Sequence, residues 1–409
     1  MTAVRSPNLL ILGASGGVAR AVLQGLAAHR GRFGTVLLLD RRSDLVADPG
    51  IDLNWLRARF LRVRLNLPMD TAWFGGLLRR HRIDLVLDLS TIDTLQLLDA
   101  VDAEGVSLIN TALCHEKLHL DALVAAVVRR PPRWTSAPHL LCSGMNPGLV
   151  NLWAMHGVAK FGRPREIVVF EFDTSRPAVG WRPSITWSPH EFLNEAVREP
   201  SGRVVGGRVE WFAENPLKRR EDLRPWLEPF WTFDRYPHAL TILHEENVTL
   251  GQRLGVSSRF LYAIDPQTMA FLERRWQAEG KVRDAELLRA DNVRIPLIGG
   301  EHIGVCLDYE DRRVYYVNDL PNAVVRGTNA TCAQVAVGVY AALLTWLADR
   351  LAPGVHFAGD LTDTAYRQHA FDGLRVEQHV LRRRGRRWAR VHFAPGVRWT
   401  YRIRRRARR

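Results

Sequence analysis

Apolar and polar positions change period several times along the chain, and each change marks an element. NLLIL, Asn8 to Leu12, is a short apolar run of strand length. Beyond the following ASGG, apolar residues Val18, Val22, Leu23 and Leu26 recur at helical spacing. TVLLLD, ending in Asp40, and IDLVLDLS, Ile83 to Ser90, read as further buried strands, and the helical pattern TLQLLDAVDAEG separates the latter from the strand VSLINTAL. Alternation of this kind predicts an α/β fold, a Rossmann-type doubly wound parallel sheet with right-handed crossovers. VRRPPRWTSAP, Val128 to Pro138, breaks the pattern. HLLCSG supplies one more strand, and MNPGLVNLWAMHGVA turns into a helix with Pro147 and Gly148 near its start.

From Glu166 to Ser175 the period is two: EIVVFEFDTS reads as a strand that points Glu171 and Asp173 to the same face. SPHEF then reads as a helix start, with Ser188 as N-cap, Pro189 first and Glu191 closing a capping box. Trp187 and Phe192 take the two positions of a hydrophobic staple, and α-helical spacing puts Glu191, Phe192 and Glu195 on one side. The expected organisation is a nucleotide-binding domain over residues 1-147 and a second α+β domain over 148-325 with a mostly antiparallel or mixed sheet. Helices over 326-379 follow, then an Arg-rich tail over 380-409.

At 409 residues, 46% hydrophobic and 24% charged, the chain is too long for one small core. Its apolar runs, such as Leu9 to Leu12, fall short of the roughly 20 residues of a membrane span, and no signal peptide is visible, so a cytoplasmic protein is expected. Cys114, Cys142, Cys306 and Cys332 are scattered, which predicts neither a disulfide framework nor a metal site. The net charge of +14 suggests nucleic acid until its position is considered. From Val380 onward there are thirteen Arg and no acid, so the remainder carries 14 − 13 = +1. The tail reads as a solvated run, with nucleic acid or an anionic surface as its functional alternative.

The turn Gly13, Ser15, Gly16, Gly17, Val18 has the chemistry of a pyrophosphate cradle: glycines permit close backbone approach, and the helix start offers N–H groups and a positive dipole end. Asp40, at the tip of the next strand, suits ribose hydroxyls and favours NAD, while Arg41 and Arg42 leave NADP open. Ser90, Thr91 and Asn110 lie at strand carboxyl ends, where they either line the cofactor or cap the next helices. Glu171, Asp173 and Glu195 with the Trp187 indole have the makings of an ammonium grip, by ion pairing and by cation–π attraction.

INTALC, GMNPGLVN, EFDTS, SITWSPHEFLNE, ILHEENVTL, FLYAIDP and GTNATCAQVAVGVYAAL occur in this order. With the glycine turn they resemble the bacterial homospermidine synthases, within the wider saccharopine dehydrogenase-like superfamily, from the turn to about Leu351. The resemblance implies an enzyme that joins two putrescine molecules, NAD taking a hydride and later returning it, and a homodimer. It also implies that the last helix-like stretch packs back on the nucleotide domain. By motif it carries catalytic roles to Asn146, Glu171, Trp187 and His244, and diamine binding to Glu195. Trp187 would face the positive imine, and His244, ordinarily titrating near ~6.5, would relay protons. Arg182, in GWRPS, suits a substrate carboxylate instead and motivates a rival reading, an opine- or saccharopine-type reductive condensation. A third reading is a non-catalytic nucleotide-binding protein docked through its basic tail.

Overall fold

The computed structural model describes residues 5–46, 50–291, 295–384 and 387–394. Seven parallel strands form the first sheet. β1 (Asn8–Leu12), β2 (Val36–Asp40), β3 (Ala58–Arg62), β4 (Ile83–Asp88), β5 (Ser107–Asn110) and β6 (Pro138–Leu141) stand in the order β6-β5-β4-β1-β2-β3. Leu9, Leu10, Ile11, Leu12, Leu85, Val86 and Leu87 have no exposed surface, because helices cover both faces and a polar alternation would be buried at a cost. The order reverses between β1 and β4, and it is beyond the carboxyl ends of two such strands that a crevice opens.

The seventh strand comes from far along the chain. Gly354–Phe357 pairs with β6, Val355 opposite His139, so the C-terminal part returns a strand as well as helices. The sequence reading had only the helices. Of these, Ala330–Ala348 lies on the Gly17–His29 helix where Gly25 leaves room for Tyr340, and Gly338 brings it against the Gly144 carbonyl, at 2.1 Å from where a Cβ would stand. Among the described residues it is the helix long and apolar enough to cross a membrane, with mean hydropathy 1.6, and 67% of that stretch is buried inside the protein.

The second sheet is mixed and has ten strands. Its centre is β7 (Glu166–Asp173), parallel to Ser257–Ala263 on one side and antiparallel to Gly300–Asp308 on the other. Arg312–Pro321, Glu377–Arg384 and Arg387–Ala394 continue it outward. This corrects the boundary of the basic tail. Val380 to Arg384 belong to a strand whose Leu381 is buried beside Phe170 and Tyr315, and the Arg313 guanidinium lies 4.5 Å from the Trp388 ring centre. The pairing with Arg312–Pro321 buries Leu381 and leaves Arg382 and Arg383 exposed, which is why charge alone mistook the segment for a solvated run. The alternation in VRWTYRI, residues 397–403, also reads as a short strand, and that segment lies outside the described residues.

Candidate active site

The glycine turn is shaped by contact with its neighbour strand. Gly13 has φ +71°, and a Cβ there would stand 2.4 Å from the Leu89 carbonyl oxygen, so only glycine fits. Gly16 is the N-cap of the Gly17–His29 helix, and among the described residues no partner holds the Val18 and Ala19 amides. Open N–H groups at the end of a four-turn helix suit a pyrophosphate. The Gly17 amide is already engaged, donating to the Asp291 carboxylate at 3.2 Å, and Asp291 in turn is gripped by Arg289 at 2.6 Å. Asp40 accepts from the Ser15 amide at 2.9 Å and the Arg42 amide at 2.8 Å, while Arg42 donates to the Ser15 carbonyl. Asp40 is thereby held at the tip of β2, with Arg42 folded over the turn.

The three strand-end candidates behave differently. Ser90 donates its hydroxyl to Asp88 at 2.6 Å, and burial pushes the Asp88 carboxyl up to about 7 against that bond. Asn110 accepts from the Cys142 amide at 2.8 Å, fixing a residue with φ +56°, and its Nδ2 is buried without a partner among the described atoms. Thr91 is exposed. Ser90 and Asn110 hold local backbone and carboxylate geometry, and neither caps the helix that follows it, the N-caps there being Asp93 and His119.

Beyond these strand ends the second sheet presents its polar face. Glu171 on β7 accepts from Asn146 Nδ2, which joins the turn before the Leu149–Phe161 helix to the sheet. Tyr262 is the register partner of Glu171 on the parallel neighbour strand, and Trp187 donates to the Tyr262 hydroxyl at 3.1 Å. Trp187 also meets Phe192 edge to face, ring centres 6.2 Å apart, as the staple predicted. Trp181 stands apart, 40% exposed and turned to Asp265.

The helix after Trp187 departs from the sequence reading in two ways. Ser188 accepts from the Glu191 amide, but the Glu191 side chain does not return to close the box; it bonds Asn194 and faces Glu195. Only five residues, Pro189–Leu193, are α-helical. Asn194–Arg198 form a π turn, closed by the Glu199 amide on the Asn194 carbonyl at 2.9 Å, so the α-helical spacing argument does not reach Glu195. Phe192 is fully buried while Glu191 and Glu195 are half-buried, the two acids facing the cleft. Cys114, from the first domain, feels both of them and Asp88; burial and these charges push its thiol up.

His244 completes the cluster. It caps the Glu245–Leu254 helix, with Nδ1 2.8 Å from Glu246 and Nε2 3.7 Å from Glu195. Burial opposes its protonation, yet Glu246 and then Glu195 outweigh burial and hold it protonated well above the ordinary histidine range. Glu245 is pushed up to about 8 by burial and by Glu246, despite bonds from Thr249 and Asn151.

Asn146 thus contacts Glu171 and Glu195 meets His244, while Trp187 bonds Tyr262, the register neighbour of Glu171, and the His244 charge reaches Glu171. Asp173 faces a different set of partners: it accepts from Thr186 Oγ1 at 2.6 Å and from the Ser175 amide at 2.8 Å. Four groups escaped the sequence reading. Glu245 and Glu246 stand in the quoted ILHEENVTL, but acids in a first helical turn are ordinary there. Tyr262 stands in FLYAIDP as one aromatic among apolar neighbours. Glu301 lies on Gly300–Asp308, opposite Asp173, and alternation in GEHIGVCLD was its available signal. Among the described residues no group of three or more His, Cys, Asp or Glu has metal-holding geometry.

No protein-family model matches the chain, and no curated protein matches it by sequence. Solved structures do. The homospermidine synthase of Legionella pneumophila in complex with NAD superposes with TM-score 0.70 at 16% identity, over 90% of this chain and 89% of that one. The fold is that of these enzymes. Saccharopine dehydrogenase (L-Glu forming) from Saccharomyces cerevisiae superposes with TM-score 0.56 at 15% identity, over 91% of this chain and 99% of that one. At such identity the likeness concerns architecture, and the chemistry rests on the side chains described above.

Proposed function

We propose that this protein is an NAD-dependent enzyme of homospermidine synthase type, which oxidises putrescine to an imine, exchanges ammonia for a second amine and reduces the product. The observation that supports the reading is the gathering of Glu195, 3.7 Å from His244, with Glu171, which feels the His244 charge, and with Trp187, bonded to Tyr262 beside Glu171 on the sheet.

NAD, held at the Gly13 to Val18 turn and Asp40, would supply hydride acceptance and return. The chain's own residues do the rest. Glu195 binds one ammonium end of a dication, and Glu171, on the sheet, takes the proton that leaves the reacting amine. Trp187 is held by its N–H on Tyr262, so its ring can face the positive charge that grows as the imine forms. His244, kept protonated between two carboxylates, donates a proton to departing ammonia. Arg182 is exposed in the loop after Gly180, outside this cluster, which favours a diamine over a substrate carboxylate.

Incubating the protein with putrescine and substoichiometric NAD, with product analysis by mass spectrometry, tests the reading. Homospermidine without net accumulation of reduced cofactor, and its loss in Glu195→Gln, is the expected result. Cofactor oxidation only when an amine is paired with a keto or aldehyde acid would replace it with the condensing reductase reading.

A further inference from the structure

Glu171 is not alone on its face of the sheet. Glu301 is its diagonal neighbour on the adjacent strand, two residues from the Ile303 opposite Glu171 and on the same face, where the two carboxyls can share a proton; Thr331 Oγ1 lies 2.6 Å from Glu301 Oε2 and 3.0 Å from Thr186 Oγ1, and Thr186 Oγ1 lies 2.6 Å from Asp173 Oδ2. The links come from four separate segments: β7, Gly300–Asp308, the Trp187 approach and the first turn of Ala330–Ala348. Asp173, Thr186 and Glu301 are all at most 4% exposed. We infer that Glu171, Glu301, Thr331, Thr186 and Asp173 form a proton store, which takes the proton released in amine oxidation and returns it in the final reduction.

This rests on the proposed reaction, and its proton balance asks for such a store. A protonated primary amine that becomes an iminium loses a hydride, taken by the oxidised nicotinamide, and one proton. Exchange of the second protonated amine for ammonium leaves the proton count unchanged. Reduction of the resulting secondary iminium to a protonated secondary amine takes back one hydride and one proton. A proton must therefore wait in the site for as long as the hydride does. If it escaped to water, a path would open along which water could reach and hydrolyse the imine.

The geometry carries the transfer in either direction. A hydroxyl has one proton and two lone pairs, so Thr331 and Thr186 each pass one proton on as they accept another. With the proton on Glu301 the chain runs Glu301 to Thr331 to Thr186 to Asp173, every link donor to acceptor; with it on Asp173 every link reverses. When Glu171 takes the substrate proton, the proton it shares with Glu301 moves down the chain to Asp173. Burial raises all three carboxyls, and the Asp173 charge adds to it at Glu171 and Glu301, which keeps a proton resident in the group at neutral pH. The His244 charge lowers Glu171 at one end of the group, and the Asp265 charge raises Asp173 at the other. Glu301 and Thr331 are positioning and relay residues in this scheme.

The test is a single turnover with putrescine and protein equimolar in the presence of NAD, so that oxidation has no second amine to follow it. Nicotinamide absorbance and a pH indicator in weak buffer are recorded together. Wild-type protein should release well under one proton per reduced nicotinamide. Thr331→Val, near-isosteric but without the hydroxyl, should release about one, with kcat down ~10-fold or more at unchanged KM; Thr331→Ser should restore both. Thr186→Val serves if Thr331→Val fails to fold. Wild type that reduces no nicotinamide with putrescine defeats the functional reading and this proposal with it. Wild type that reduces it and releases a full proton, or a Thr331→Val protein that matches wild type, overturns the proton store alone.

Discussion

Asp173 and Glu301 face each other as register partners on adjacent antiparallel strands, 4% and 1% exposed. Two ionised carboxylates so placed repel one another in a medium that screens poorly, so at neutral pH one of the group carries a proton. Glu171, up to about 7, and Glu245, up to about 8, extend the same condition along the cleft.

The sign of the stability effect follows. A carboxyl whose folded value lies above its unfolded one favours folding while both forms are protonated, and loses that advantage as pH rises from the unfolded value near 4.5 to the folded one. Stability without ligand, and with it the unfolding midpoint, should therefore fall between pH 4.5 and 8, by roughly 3 to 5 kcal/mol per group at about 1.4 kcal/mol per pH unit. Glu245→Gln should flatten part of the fall and be the more stable protein at pH 8. His244 adds to the fall above its ordinary value, because its protonated form is held by Glu246 and Glu195 in the folded protein and that advantage is lost as pH rises. Thermal scans of both proteins from pH 4.5 to 8 check this, and parallel curves would contradict it.

Asn329 ties the returning helix to the site. It accepts from the Cys332 amide at 2.8 Å and donates to the Thr186 carbonyl at 2.6 Å and the Ala290 carbonyl at 3.1 Å. Asn329→Ala removes an N-cap and leaves buried carbonyls without a donor, so a loss of about 2 kcal/mol is expected in denaturant unfolding. Because Thr186 moves with it, turnover should fall further than stability alone explains.

The basic segment gives a test of its two parts. Removing residues 395–409 should leave the unfolding midpoint within about a degree, since the paired strands remain. Removing everything from Gln378 strips two strands from the second sheet and uncovers Phe170 and Tyr315, and should cost several kcal/mol by the usual ~25 cal/mol per Å² of apolar surface. Circular dichroism melts distinguish these outcomes. If the shorter truncation by itself abolishes salt-sensitive binding to nucleic acid or anionic vesicles, that binding belongs to the last residues.

Arg182 and Trp187 separate the two enzyme readings. Arg182→Ala should leave diamine turnover within about twofold, while a carboxylate-binding role would raise KM sharply. Trp187→Phe keeps the edge-to-face contact with Phe192 but loses the bond to Tyr262, and kcat should drop about tenfold with little change in KM. Steady-state kinetics of the two variants decide the matter.

The parallel sheet was legible because β1, β2 and β4 are continuous apolar runs and the glycine turn has one geometric purpose, which Gly13 against Leu89 makes visible. Trp187 and Phe192 were legible because a staple is local. What the sequence hid was non-local or non-ideal. Glu301 becomes a partner of Asp173 and Glu171 only through strand pairing more than a hundred residues apart, and Thr331 reaches them only because the chain returns as a helix to pack on the first domain. The π turn after Leu193 inserts a residue that α-helical spacing cannot foresee. The final hairpin concealed Leu381 among arginines, so composition named a tail where pairing makes a strand.

The most direct test of the central claim follows the hydride itself. Putrescine deuterated at both carbons beside its nitrogens is supplied with NAD in catalytic amount and an excess of unlabelled NADH, and the product is weighed by mass spectrometry. If one bound cofactor takes and returns the same hydride within a closed site, homospermidine forms and keeps every deuteron. A product short by one deuteron, or no homospermidine at all, would contradict the account.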